Sequence, residues 1–112
     1  MKKALLIMTF STLAAGCADN SIPRADLPEL DLTNPLLAAW DTPHATPPFS
    51  RIELKDYEPA FDAAIACSRA EIEAIVSNPK KPTFMNTIVA LERQGELLNR
   101  IAGLFFNLLE AD

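Results

Sequence analysis

The chain has 112 residues, with ten Lys and Arg against fifteen Asp and Glu, a formal net charge of −5. An acidic body disfavours nucleic acid and anionic membrane surfaces as partners. Three glycines, two cysteines and a single histidine leave no material for a phosphate-cradling loop, a disulfide framework or a histidine-based metal cluster.

Met1-Lys2-Lys3, an apolar run from Ala4 to Ala15, then Gly16 and Cys17 have the layout of a secretory signal. The run falls short of the about 20 apolar residues that span a bilayer, and Thr9, Ser11 and Thr12 interrupt it. Leu13-Ala14-Ala15-Gly16-Cys17 resembles the bacterial lipobox, although Ala14 stands where leucine is usual. That resemblance implies a signal peptide over residues 1–16 and lipid attachment at Cys17. It also implies an exported protein of the cell envelope, lipid-anchored to a membrane and facing the periplasm. Loss of the signal removes Lys2 and Lys3 and leaves a still more acidic body. Attachment is therefore assigned to acyl chains, at roughly 0.8 kcal/mol per buried CH₂, and not to a basic patch.

Residues 17–33 read as a flexible tether, because Asp19, Asn20, Ser21, Pro23, Asp26, Pro28, Glu29 and Asp31 bury too little apolar surface to offset ordering. Asp26, Glu29 and Asp31 lack the spacing of a calcium loop and are expected to keep the tether soluble. Six of the nine prolines lie between Pro23 and Pro48, which excludes regular helix there. Asn34-Pro35 before Leu36, Leu37 and Trp40 predicts a short helical turn capped by Thr33 or Asn34. An extended loop follows from Asp41 to Pro48, with Phe49 and Ile52 expected to pin it against the helices.

The first long helix is predicted from Tyr57, with Asp56 as N-cap, Pro59 tolerated in the first turn and Asn78-Pro79 as the stop. Its buried stripe is read as Phe61, Ile65, Ser68, Ile72 and Ile75 or Val76. A second helix starts after the Thr83 cap, with Phe84, Ile88 and Leu91 inward, and Gly95 ends or bends it. A third runs from Glu96, with Leu97, Ile101, Leu104, Phe105 and Leu108 inward and an i,i+4 pair between Glu96 and Arg100. Leu98 and Phe106 widen its apolar arc, so it expects partners on more than one side. Glu110 and Asp112 crowd a helix end of the wrong sign for acids. With the wide arc, this leads us to expect a segment of something longer.

Each residue with chemical potential has a plain structural role available. Cys67 reads as a small buried hydrophobe, and His44 as a packing or surface residue in a proline-rich loop. Glu71 and Glu73 lie two apart on different helix faces and read as solvated. Trp40 reads as a packing anchor. No catalytic or metal-ligating residue is assigned.

A resemblance is carried by Asn34-Pro35-Leu36-Leu37, Thr42-Pro43-His44-Ala45-Thr46-Pro47-Pro48-Phe49 and Tyr57-Glu58-Pro59-Ala60-Phe61. Glu71-Ile72-Glu73-Ala74-Ile75, Pro82-Thr83-Phe84-Met85-Asn86-Thr87-Ile88, Ala90-Leu91-Glu92 and Gly95-Glu96-Leu97-Leu98 extend it. In order and spacing these resemble the N-terminal helical region of the thimet-oligopeptidase-like zinc metallopeptidases. They are most like the peptidyl-dipeptidase (dipeptidyl carboxypeptidase) branch, with oligopeptidase A next. The resemblance implies an all-α fold in which residues 34–112 form a helical scaffold portion of a larger enzyme. It also implies a channel that admits short peptides, and a zinc ion held by a His-Glu-x-x-His helix and a later Glu. That motif is absent here, so zinc ligands and catalytic groups would lie beyond this chain, whose other partner would be the rest of the peptidase. The alternative reading is a complete small helical lipoprotein acting as a non-catalytic interaction module.

Overall fold

The computed structural model describes residues 21–111, and Cys17 and the signal segment lie outside them. The described residues are helices, turns and coil, an all-α arrangement without strand. Two long helices, α1 (Tyr57–Val76) and α3 (Glu96–Glu110), are joined through a π-helical stretch (Phe84–Val89) that runs into a single-turn α2 (Ala90–Arg93). Three short 3-10 turns, Pro43–Ala45, Phe49–Arg51 and Leu54–Asp56, lead into α1.

The first helical turn forms around Asn34. Its side-chain oxygen accepts the Leu36 N–H at 2.9 Å, and its carbonyl accepts from Leu37 and Ala38. Its amide group donates to the Asp56 carbonyl at 2.8 Å, tying this turn to the start of α1. Asp56 does not cap α1 with its side chain. Its carboxylate reaches back to the Glu53 N–H at 2.8 Å and closes the 3-10 turn ahead of the helix. The helix ends at Ser77, whose N–H and hydroxyl both donate to the Glu73 carbonyl. Pro79 blocks continuation.

α1 and α3 run antiparallel, since Gly95 meets Glu71 at one end while Phe105 meets Tyr57 at the other. The core between them joins Ala60 and Ala64 of α1 to Ile101 and Leu104 of α3, with Leu36 and Leu37 closing one side. Small side chains on α1 let the two backbones approach, and the bulk comes from α3. This corrects the expected α1 stripe. The buried positions are Tyr57, Ala60, Ala64 and Cys67; of the expected stripe, Phe61 packs against the core and Ser68 and Ile75 are half-buried, whereas Ile65, Ile72 and Val76 are exposed. The same holds in the second helical stretch, where Phe84, Ile88 and Leu91 are exposed and Asn86 and Ala90 are buried. In α3, Ile101 and Leu104 are buried as expected, with Leu97, Leu98 and Phe105 packed against the core, but Leu108 is exposed. Ile52 packs on the core, while Phe49 is left exposed. No helix of the described residues is long and apolar enough to cross a membrane.

Candidate functional site

Three polar side chains of the described residues, Arg100, Glu71 and Asn86, hold neighbouring elements together. Arg100 is the first such point. Its guanidinium donates to the Leu36 carbonyl at 2.8 Å and more weakly to the Ala38 carbonyl at 3.4 Å. It also sits 4.8 Å from the centre of the Trp40 ring, a cation–π distance. Trp40 in turn donates its indole N–H to the Pro35 carbonyl at 3.1 Å. Arg100 thus ties α3 to the Asn34 turn. The expected Glu96–Arg100 pair is not among the ion pairs of the described residues. Free carbonyls at the end of a short turn offer the guanidinium a fixed, less hydrated partner.

Glu71 is the second point. Its carboxylate accepts the Gly95 N–H at 2.6 Å, and one turn earlier the Ser68 hydroxyl donates to the Gln94 side chain at 2.9 Å. Gly95 sits at φ +73°, a left-handed conformation that glycine adopts without steric cost. The expectation of a solvated Glu71 is therefore corrected, since the residue is half-buried and holds the α2–α3 turn.

Asn86 is the third. At 1% exposure it is the most buried polar side chain. Its oxygen accepts from the Thr83 N–H and the Thr87 hydroxyl, and its amide donates to the Lys81 carbonyl. With the Thr83 hydroxyl accepting the Asn86 N–H at 3.1 Å, the pair forms a reciprocal cap. The cap at Thr83 was legible in sequence, but the role of Asn86 was not.

The other singled-out residues stand apart. His44 lies on an exposed turn at φ +59°. Cys67 is a buried free thiol, and burial, with the Glu71 carboxylate nearby, pushes its pKa up, away from the reactive thiolate. Glu73 is exposed. Among the described residues no three His, Cys, Asp or Glu side chains are grouped to hold a metal ion. Ile22, Pro23 and Leu27 line a groove of about 480 Å³ together with Glu71, Ile75 and Arg93, but Glu71 is already engaged there by Gly95.

No family model matches the chain. It is similar to dipeptidyl carboxypeptidase. The protein of that name from Salmonella typhimurium (strain LT2) is 47% identical over 79 residues, 70% of this chain. The Escherichia coli (strain K12) protein is 46% identical over 78 residues. The chain spans only 12% of the length of each of these relatives.

Proposed function

We propose that this chain is the N-terminal helical scaffold of a zinc metallopeptidase of the thimet-oligopeptidase type that removes dipeptides from the C-terminal end of short peptides. The observation that carries the proposal is the 47% identity to dipeptidyl carboxypeptidase over 79 residues. The committed polar groups support a scaffold role, because Arg100, Glu71 and Asn86 each satisfy backbone groups of neighbouring elements. The described residues do not fit a zinc site. The chain's single histidine is on an exposed turn, and no ligand cluster forms. Zinc-assisted attack on the peptide bond therefore belongs, in this proposal, to residues outside the segment, and the segment's share is to wall the substrate channel.

Export and lipid attachment at Cys17 belong to the same proposal, supported by Lys2-Lys3, the run from Ala4 to Ala15 and the small residues before the cysteine. Residues 17–33 would then hold the enzyme off the membrane. The functional test is to incubate the complete gene product with an N-terminally blocked short peptide and identify the products by mass. Release of C-terminal dipeptides, abolished by a chelator and restored by zinc, is expected. Intact peptide, or cleavage only at internal bonds, would contradict the assignment.

A further inference from the structure

Residues 21–31 run without turn or bend, and their neighbours on α1 fall in number as the segment rises. Ser21 and Arg24 share a groove of about 390 Å³ with Ala74, Ser77 and Lys80. Ile22 and Leu27 line the next groove with Glu71 and Ile75. Glu29 and Asp31 line a third with Pro59 and Ala63. The segment therefore lies antiparallel along α1, beginning at the helix's C-terminal end. The lengths are comparable. Residues 21–31 extend to about 33 Å, and α1 rises about 27 Å from Pro59 to its cap at Ser77. Ile22, Pro23, Ala25 and Leu30 are half-buried, which a segment without regular structure achieves only by lying on another surface. Pro23 and Pro28 lower the entropy cost of holding it extended.

This placement decides which end of the scaffold a lipid on Cys17 would hold. Residues 17–20 put Cys17 within about 14 Å of Ser21, whatever path they take. The other end of α1 is about 30 Å away, out of that reach. Charge points the same way. The groove at the Ser21 end is lined by Arg24 and Lys80 and by no acid, with Lys81 exposed next in sequence. The groove at the far end sets Glu29, Asp31, Glu53 and Asp56 against Arg51 and Lys55. Anionic headgroups attract the first end and repel the second. We propose that residues 21–31 are a fixed strap and not free tether, and that they hold the C-terminal end of α1, with Arg24, Lys80 and Lys81, against the bilayer. The proposal rests on the lipid anchor of the functional reading above, and it confines the free tether to residues before Ser21.

The test uses the complete lipidated gene product in vesicles of phosphatidylethanolamine and phosphatidylglycerol that contain a nitroxide-headgroup lipid. The fluorescent residue acridonylalanine replaces Lys81 or, separately, Lys55, both exposed. Quenching is expected to be several-fold stronger at position 81 than at position 55, and equal or reversed quenching overturns the proposal. A flexible Gly-Ser insert of about 20 residues between Asn20 and Ser21, with an r.m.s. length of about 25 Å, is expected to abolish most of the difference. A difference that survives the insert shows that the strap does not set the orientation. The photo-crosslinker p-benzoylphenylalanine at the exposed Arg24 tests the strap without any lipid. Cross-links to residues 71–80 or 90–94 of the same chain are expected, and cross-links elsewhere or none overturn it. The mass of the N-terminal peptide separates the two readings. An unacylated protein that leaves vesicles unbound sinks the anchor of the functional reading and the membrane-facing end with it, while the Arg24 cross-link still decides the strap. An acylated protein without the quenching difference sinks this proposal alone.

Discussion

Glu71 and Gly95, twenty-four positions apart, are joined by a 2.6 Å hydrogen bond from the glycine N–H to the carboxylate. This bond sets the point at which α3 turns back along α1. Glu71→Ala leaves the N–H of a buried residue without its acceptor and is expected to cost about 1–2 kcal/mol. Glu71→Gln, which keeps an acceptor oxygen, is expected to cost less. Urea unfolding of the two variants checks the order, and equal losses would show that the bond contributes nothing.

Gly95 itself is constrained by its backbone. A Cβ placed there meets only the Ser68 hydroxyl, at an ordinary 3.6 Å, so space is not the issue. The positive φ is, and Gly95→Ala is expected to cost roughly 1–2 kcal/mol. Gly95→Asn should be milder, because asparagine visits this region more readily. A larger loss for asparagine than for alanine would contradict the conformational explanation.

Arg100→Met keeps much of the aliphatic stem but removes the bonds to the Leu36 and Ala38 carbonyls and the stack on Trp40. The expected loss is about 2–3 kcal/mol. Arg100→Lys should recover only part of it, since an ammonium can donate to the carbonyls but has no planar, weakly hydrated face to lay on the Trp40 ring. Full recovery by lysine would mean that charge alone matters. Indole fluorescence of Trp40, the only tryptophan, should change in both variants.

Asn86→Ala removes the acceptor for Thr83 and Thr87 and the donor to Lys81 in a fully buried position. A loss of about 2–3 kcal/mol is expected. Hydrogen exchange should locate the effect in residues 81–90, and a uniform change across the chain would contradict a local role.

Burial raises the pKa of both the Cys67 thiol and the Tyr57 phenol in the folded protein. Each group therefore holds its proton more tightly when folded than when unfolded. Their contribution to stability is complete below the ordinary thiol value of about 8.5 and falls as pH rises through the raised values. Unfolding free energy is expected to decline progressively above that point, and Cys67→Ala should remove the earlier part of the decline. The thiol should also resist alkylation until urea unfolds the chain. Rapid labelling of the native protein at neutral pH would count against its burial.

Much of the helical layout was legible from residues with strict backbone consequences. Pro79 stops α1, Thr83 caps the following stretch, and Gly95 makes the reversal into α3. Which face each helix buries was less so. A stripe of Ile65, Ile72 and Val76 is the obvious apolar choice in isolation, but α3 seats against the small residues Ala60 and Ala64 on a neighbouring arc. The π-helical stretch from Phe84 to Val89 breaks the regular α-helical spacing from which Phe84, Ile88 and Leu91 were read as one inward face. Arg100 shows a further limit. Local spacing pairs it with Glu96, yet its partners lie more than sixty positions earlier. The absence of a His-Glu-x-x-His motif was plain in the sequence, whereas the scaffold roles of Glu71 and Asn86 depend on long-range or backbone contacts that no spacing rule encodes.

The most direct measurement compares two samples on one N-terminally blocked short peptide with zinc present: the complete gene product and the segment comprising residues 17–112. The account predicts C-terminal dipeptides from the complete protein and none from the segment. Turnover by the segment alone, or an inert complete protein, would contradict it.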